Sequence, residues 1–376
     1  MKIISTLSFF ALLATGGAAQ AAGPEIFTPS YVAGAMRKVA DWQINSWTVD
    51  GFKKPKYNWT YCAAYTGIFA LGDVSGDAKY HAFLKQIGTD LGWDSGKRRF
   101  FADDYCVGQV FATMYMRHRD PAMLAPFKAL ADQIIAQPHT ESLSLATRDI
   151  MEREWAWCDA LFMGPTSLTY LYKATGEIKY LDIANQLWWK TTDYLYDKDE
   201  HLYFRDQSYF DKREKNGKKV FWSRGNGWVM GGLVRVLSGM PENYPDRPRY
   251  IKLYREMAAR LVSLQQPDGS WHSSLLDPDS YPVKETSGTG FYTYAILWGL
   301  NNGLLDEKTY WPAAAKGWTV LSESVRSDGM LGFVQPVGAA PARVNADSTE
   351  TYGPGAFLLA GSEMNKYLFR RIAPAN

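Results

Sequence analysis

What this chain has little of narrows its chemistry first. It has three cysteines, Cys62, Cys106 and Cys158, an odd number with no C-x-x-C spacing, which argues against a disulfide framework and against a thiolate metal site. Each lies in an aromatic or acidic setting (TYCAAY, DDYCVGQ, AWCDALF) and reads as a small buried hydrophobe. The five histidines, His81, His118, His139, His201 and His272, show no H-x-x-x-H spacing, so a histidine metal site or a Cys–His nucleophile finds no support. Charge of one sign is also missing. Lys and Arg number 41 against 39 Asp and Glu, the formal net charge is +2, and the longest basic run is Lys97-Arg98-Arg99, a pattern unlike a nucleic-acid-binding surface. There is no G-x-S-x-G elbow and no P-loop, and the SGTG at 287–290 lacks the strand and full glycine pattern of a dinucleotide site. Past the N-terminal segment no apolar run is long enough to cross a bilayer. What remains for chemistry is carboxylates, with no metal and no organic cofactor expected.

Aromatic residues, by contrast, are plentiful: 14 Trp, 23 Tyr and 18 Phe. Flat amphipathic rings in a cleft suit sugar rings. At the N-terminus, Lys2, the apolar run Ile3 to Ala14 and the small residues Ala19-Gln20-Ala21 follow the pattern of a secretory signal. Cleavage after Ala21 is expected, leaving residues 22–376 as one domain.

Helical periodicity dominates that domain. YLDIANQLWWKTTDYLY, DPAMLAPFKALADQIIAQ and YIKLYREMAARLVSLQQ carry apolar residues at three- and four-residue spacing, and strand-like alternation is brief. A weak repeat runs through it: GDAKY at 76–80 and GEIKY at 176–180 each follow one apolar helix and open another. Related starts recur at Asp120, Arg247 and Glu307, at steps of roughly 40–70 residues, enough for a helical hairpin and a loop. With an N-terminal helix around Ala33–Trp47 this makes about six hairpins, the number that closes a double ring. The expected fold is therefore all-α, an (α/α)6 barrel, with an open solenoid as the alternative. Gly- and aromatic-rich segments such as NWTYCAAYTG, WSRGNGW and KETSGTGF would gather on one face.

Three constellations qualify as chemistry. Asp159 is a lone acid in the apolar run REWAWCDALFMGPTSL; burial would raise its pKa toward that of a general acid. The competing reading is a capping or core Asp paired with Arg153 or Arg224. Asp103 and Asp104, in FFADDYCVGQVF, read first as a helix cap and dipole partner, and as part of a catalytic couple if one of them faces Asp159. Trp222, Arg224 and Trp228, in WSRGNGW, suit sugar stacking with a guanidinium aimed at a carboxylate, although either Trp could simply pack the barrel top.

WSRGNGWVMGGL, WCDALFMGPTSLTYLYKATGEIKYL and KETSGTGFYTYAILWGL together resemble the unsaturated rhamnogalacturonyl hydrolases, glycoside hydrolase family 105, over about Trp42 to Phe357. That resemblance implies an (α/α)6 barrel acting on the 4,5-unsaturated uronic acid that a polysaccharide lyase leaves at a nonreducing end. It implies Asp159 as general acid/base and Asp104 as the second acid, with Asp103 in its place if the register slips by one. Trp59, Tyr61, Asp103, Arg205, Trp222, Arg224 and Trp228 are the implied substrate contacts, Arg224 pairing with the uronate carboxylate. Some family members carry a His after the LYF segment, where this chain has Arg205, which bears on the neighbouring sugar. The reaction implied is proton delivery to C4 of the enol ether and addition of water at C5. A conventional inverting glycosidase on saturated glycans is the main alternative, and a noncatalytic glycan-binding protein the second. The implied partner is an oligosaccharide, not nucleic acid or membrane, and the small size of lyase products favours the periplasm over the medium.

Overall fold

The computed structural model describes residues 24–144 and 147–372; the export segment read at residues 1–21 lies outside them. Fourteen helices are described. Six of them, α2 (Trp59–Ser75), α5 (Gly108–His118), α8 (Ala160–Thr175), α10 (Ser223–Gly239), α12 (Thr286–Asn301) and α14 (Tyr352–Ile372), form an inner ring in which each packs on the next and α14 closes back onto α2. The outer layer is α1 (Pro29–Val49), α3 (Ala78–Asp90), α6 (Ala125–Ala136), α9 (Lys179–Leu195), α11 (Arg247–Ser263) and α13 (Glu307–Glu323). Two short helices, α4 (Ala102–Tyr105) and α7 (Arg148–Glu154), lead into α5 and α8. Pairing each outer helix with the inner one that follows gives six hairpins, the expected (α/α)6 barrel.

Local signals explain where the helices start and stop. Gly76 and Gly176 take left-handed backbones, φ 66° and 77°, and end α2 and α8, a conformation that costs glycine least. Asp77 and Asp306 accept backbone N–H bonds from Lys79 and Thr309 at 3.0 and 2.9 Å and so cap α3 and α13. The GDAKY and GEIKY repeat is thus the same joint used twice, the end of an inner helix and the start of an outer one.

The inner helices run parallel, because the last turns of all six line one cavity at one mouth of the barrel. Their N-termini converge on the other mouth. Two short antiparallel hairpins decorate that second face: β1 (Tyr196–Asp197) with β2 (Leu202–Tyr203), and β3 (Trp271–His272) with β4 (Lys284–Glu285). No described helix is long and apolar enough to cross a membrane. All three cysteines are buried and unpaired.

Candidate active site

Asp159 occupies the N-cap position of α8, yet its side chain caps no backbone N–H. The residue before it is pinned instead: Cys158 N donates to the Arg205 carbonyl at 2.8 Å. This brings the turn after β2 beside the acid, with Arg205 Nε 3.5 Å from Asp159 Oδ2. The same turn is held from α10, where Asn226 accepts from Tyr203 N at 2.8 Å and donates to Tyr203 O at 3.0 Å, pairing with β2 as a strand would. The capping or Arg153 readings of Asp159 therefore fail: Arg153 pairs with Glu154 and Asp149.

Burial pushes the Asp159 carboxyl above the usual carboxylate range, with Arg205 and then Arg224 pulling the other way. Its side chain keeps 13% of its surface open to solvent. The second acid that feels it is Asp103 on α4, pushed up to about 8 by burial first and by the negative charge of Asp159 next, against Arg205 and Arg98. The negative charge of Asp159 thus favours the protonated form of Asp103.

Asp104 does not join them. Arg98 grips it at both oxygens, Nη2 to Oδ1 at 2.6 Å and Nε to Oδ2 at 3.2 Å, while Arg98 N donates to Oδ2 at 3.0 Å. Successive helical residues point in different directions, so Asp104 anchors the 96–104 loop and leaves Asp103 toward Asp159. Arg98 in turn lies 3.9 Å over the Phe101 ring, which stacks on Trp157 at 5.4 Å.

The WSRGNGW segment does less at the surface than its composition promised. Arg224 is fully buried between Trp222 and Tyr352, 4.4 and 4.7 Å from their rings, and donates to the carbonyls of Gln335 at 2.7 Å and Pro336 at 3.0 Å. It clamps the 335–338 loop and acts on Asp159 only through its charge. Trp222 Nε1 donates to Gln335 Oε1 at 3.0 Å, and Trp228 is buried among Phe162, Phe291, Trp59 and Tyr352. Trp59 remains half-buried at the mouth, stacked on Tyr352 at 5.6 Å. Tyr61 turns the other way, into a cluster with Trp47, Phe52 and Tyr65 between α1 and α2.

Three residues that composition did not flag complete the site: Asp206, Tyr352 and Gln335. Only Asp206 had a local signal, its adjacency to Arg205. Tyr352 meets Trp59 across most of the chain length, and nothing near it in sequence announces that.

A cavity of about 1050 Å³ opens at the opposite mouth. Its carboxylates, Asp73 and Glu363, are paired with Arg117 and Lys366, so it offers no uncommitted acid–base couple such as the N-terminal mouth has in Asp159 and Asp103.

Comparison with known proteins bears on the family of the whole chain. The model of Glycosyl Hydrolase Family 88 matches residues 35–368. An unsaturated 3S-rhamnoglycuronyl hydrolase of Formosa agariphila is 40% identical over 82% of this chain and 84% of its own. A second protein of that name, from an Alteromonas species, is 35% identical over 81% of this chain and 77% of its own. A solved glycosyl hydrolase family 88 structure from Bacteroides vulgatus superposes with a TM-score of 0.80 at 29% identity, covering 90% of this chain and 99% of that one. A match over residues 35–368, through both rings of helices, means that this chain belongs to Glycosyl Hydrolase Family 88.

Proposed function

We propose that this glycosidase removes the 4,5-unsaturated uronic acid from the nonreducing end of lyase-generated oligosaccharides by hydrating the C4=C5 bond. The observation that carries the reading is the pair Asp159 and Asp103, buried at the mouth beside Arg205. Ordinary two-carboxylate hydrolysis divides the acid and base roles between two groups, whereas hydration of the double bond asks both of one buried acid. A buried carboxyl raised above the usual range, as Asp159 is, suits a reaction in which a single group first gives a proton and then takes one.

In the proposed sequence the uronate carboxylate competes for Arg205. Losing that partner favours the protonated carboxyl of Asp159, which delivers its proton to C4 as oxocarbenium character builds at C5. The Asp159 carboxylate then takes a proton from water as its oxygen bonds to C5. The hemiketal opens and releases the remaining sugar. Asp103 is the second acid, orienting water. Six helix N-termini converging on this mouth favour an anionic sugar, and Trp59 offers it a face. Asp104 and Tyr61 act at a distance, by holding the loops around the site. Both curated relatives above are named for rhamnoglycuronyl substrates, so an unsaturated uronate on rhamnose is the first substrate to try, followed by rhamnogalacturonan products. Export through residues 1–21 and finishing of lyase products in the periplasm belong to the same proposal.

The conjugated double bond absorbs in the ultraviolet. Absorbance is expected to fall over time with the purified protein and to hold steady with Asp159→Asn. Steady absorbance with the native protein on rhamnoglycuronyl, pectic and glycosaminoglycan-type products, with cleavage of saturated glycans instead, would mark a conventional inverting enzyme.

A further inference from the structure

We propose that Asp206 is a positioning residue for this reaction, fixing the Arg205 guanidinium beside Asp159 until an anionic sugar takes its partner. The inference rests on the hydrolase reading for its consequence in catalysis and on geometry for its substance. Arg205 does not owe its place to Asp159. At 3.5 Å, Nε is too far for a hydrogen bond of ordinary length, and this buried Nε has no hydrogen-bond acceptor. What fixes the guanidinium is its other end, where Nη1 donates to Asp206 Oδ2 at 2.5 Å. Asp206 is itself fixed, because its Oδ1 accepts from Ser208 N at 2.8 Å at the start of the turn Gln207–Tyr209. The backbone of Arg205 is held at its carbonyl by Cys158 N at 2.8 Å. Arg205 is therefore tethered at both ends, with its unmet donor 3.5 Å from the acid. Donors around a reacting group are often long before substrate arrives and tighten in the complex.

The groups facing Asp159 make the test decisive. Cys158 Sγ lies 3.6 Å from Oδ1 on its own element. From α4 comes Asp103, from α10 Arg224, and from the turn after β2 Arg205, Asp206 and Tyr209. Asp206 acts on Asp159 in two opposing ways. As a negative charge it disfavours the Asp159 carboxylate; as the tether of Arg205 it favours it. Arg205 is the larger influence of the two. Asp206→Asn removes the charge and leaves one oxygen where Arg205 Nη1 and Ser208 N now have two, so the tether loosens as the charge goes and the sign of the change tells the roles apart.

The experiment is a ¹³C titration of protein labelled at aspartate Cγ, the Asp159 signal assigned with Asp159→Asn, alongside pH profiles of kcat/KM on an unsaturated disaccharide. With Asp206→Asn, Asp159 is expected to titrate about one pH unit higher, the acid limb of kcat/KM to follow it upward, and Asp206→Glu to restore most of both. An Asp159 titration that moves down or stays in place would overturn the proposal and leave Asp206 as a turn cap. The carboxyl titration decides this even if the native protein turns over no unsaturated uronate, in which case the hydrolase reading alone falls.

Discussion

At the scale of single residues, the adjacent acids on α4 separate by what each one touches. Asp104 is saturated by Arg98 and its backbone N–H. Asp103 is raised from its ordinary 3.8 to about 8 by burial and by Asp159. Asp103→Asn is expected to lower kcat by about a hundredfold or more and to remove the alkaline limb near pH 8, while Asp104→Asn keeps that limb, raises KM and costs about 1–3 kcal/mol of stability. The sign of the stability effect can be worked out. A carboxyl that holds its proton more tightly when folded contributes stability that is fully present below its unfolded pKa and lost as pH rises through about 8. Asp103→Asn should therefore flatten the fall in Tm between about pH 5 and about pH 9. Should Asp104→Asn be the variant that moves the limb, the roles of the two acids are exchanged. Sequence showed that an acid lay in this pair but could not choose between neighbours, because the choice depends on Arg98 folding back six residues. It placed Arg224 on the substrate for a similar reason: the carbonyls that take its donors, at 335 and 336, lie more than a hundred residues away.

At the scale of elements, the hairpins were readable because their joints are local. The αL glycines that end α2 and α8 and the aspartate caps that open α3 and α13 are all short-range signals. Which inner helix touches which is not local, and depends on residues without side chains at the crossing. A Cβ on Gly232 of α10 would lie 2.4 Å from the Leu161 carbonyl of α8. That carbonyl lacks its usual helical donor, since the residue four positions on is Pro165. Gly232→Ala is expected to force α10 and α8 apart, costing about 1–3 kcal/mol, and to lower activity by displacing Asp159 at the head of α8. Asp306→Ala, which removes only the cap of α13, should cost about 1 kcal/mol with activity unchanged. Equal losses of activity in the two variants would show that global stability, and not the α8–α10 contact, sets the rate.

At the scale of the whole molecule, the barrel converts a chain of local hairpins into one mouth. Trp59 opens α2 and Tyr352 opens α14, yet their rings stack at 5.6 Å, so the site closes only when the last inner helix docks on the first. Asp103, Asp159 and Arg205 come from the second, third and fourth hairpins or the connections between them. A sugar bound here bridges segments from both ends of the chain and has little affinity for the unfolded state. In Asp159→Asn, where turnover is blocked, an unsaturated disaccharide at a hundred times its Kd should raise unfolding free energy by about 2.7 kcal/mol and shift a single cooperative transition. The saturated disaccharide, whose uronate ring is puckered instead of flattened by the double bond, should do markedly less. If both sugars stabilise equally, the mouth recognises the carboxylate alone and the discrimination for the double bond lies in the chemical step; if ligand splits the transition in two, the ring does not unfold as a unit, and the contact between the first and last hairpins is weaker than the stacking of Trp59 on Tyr352 requires.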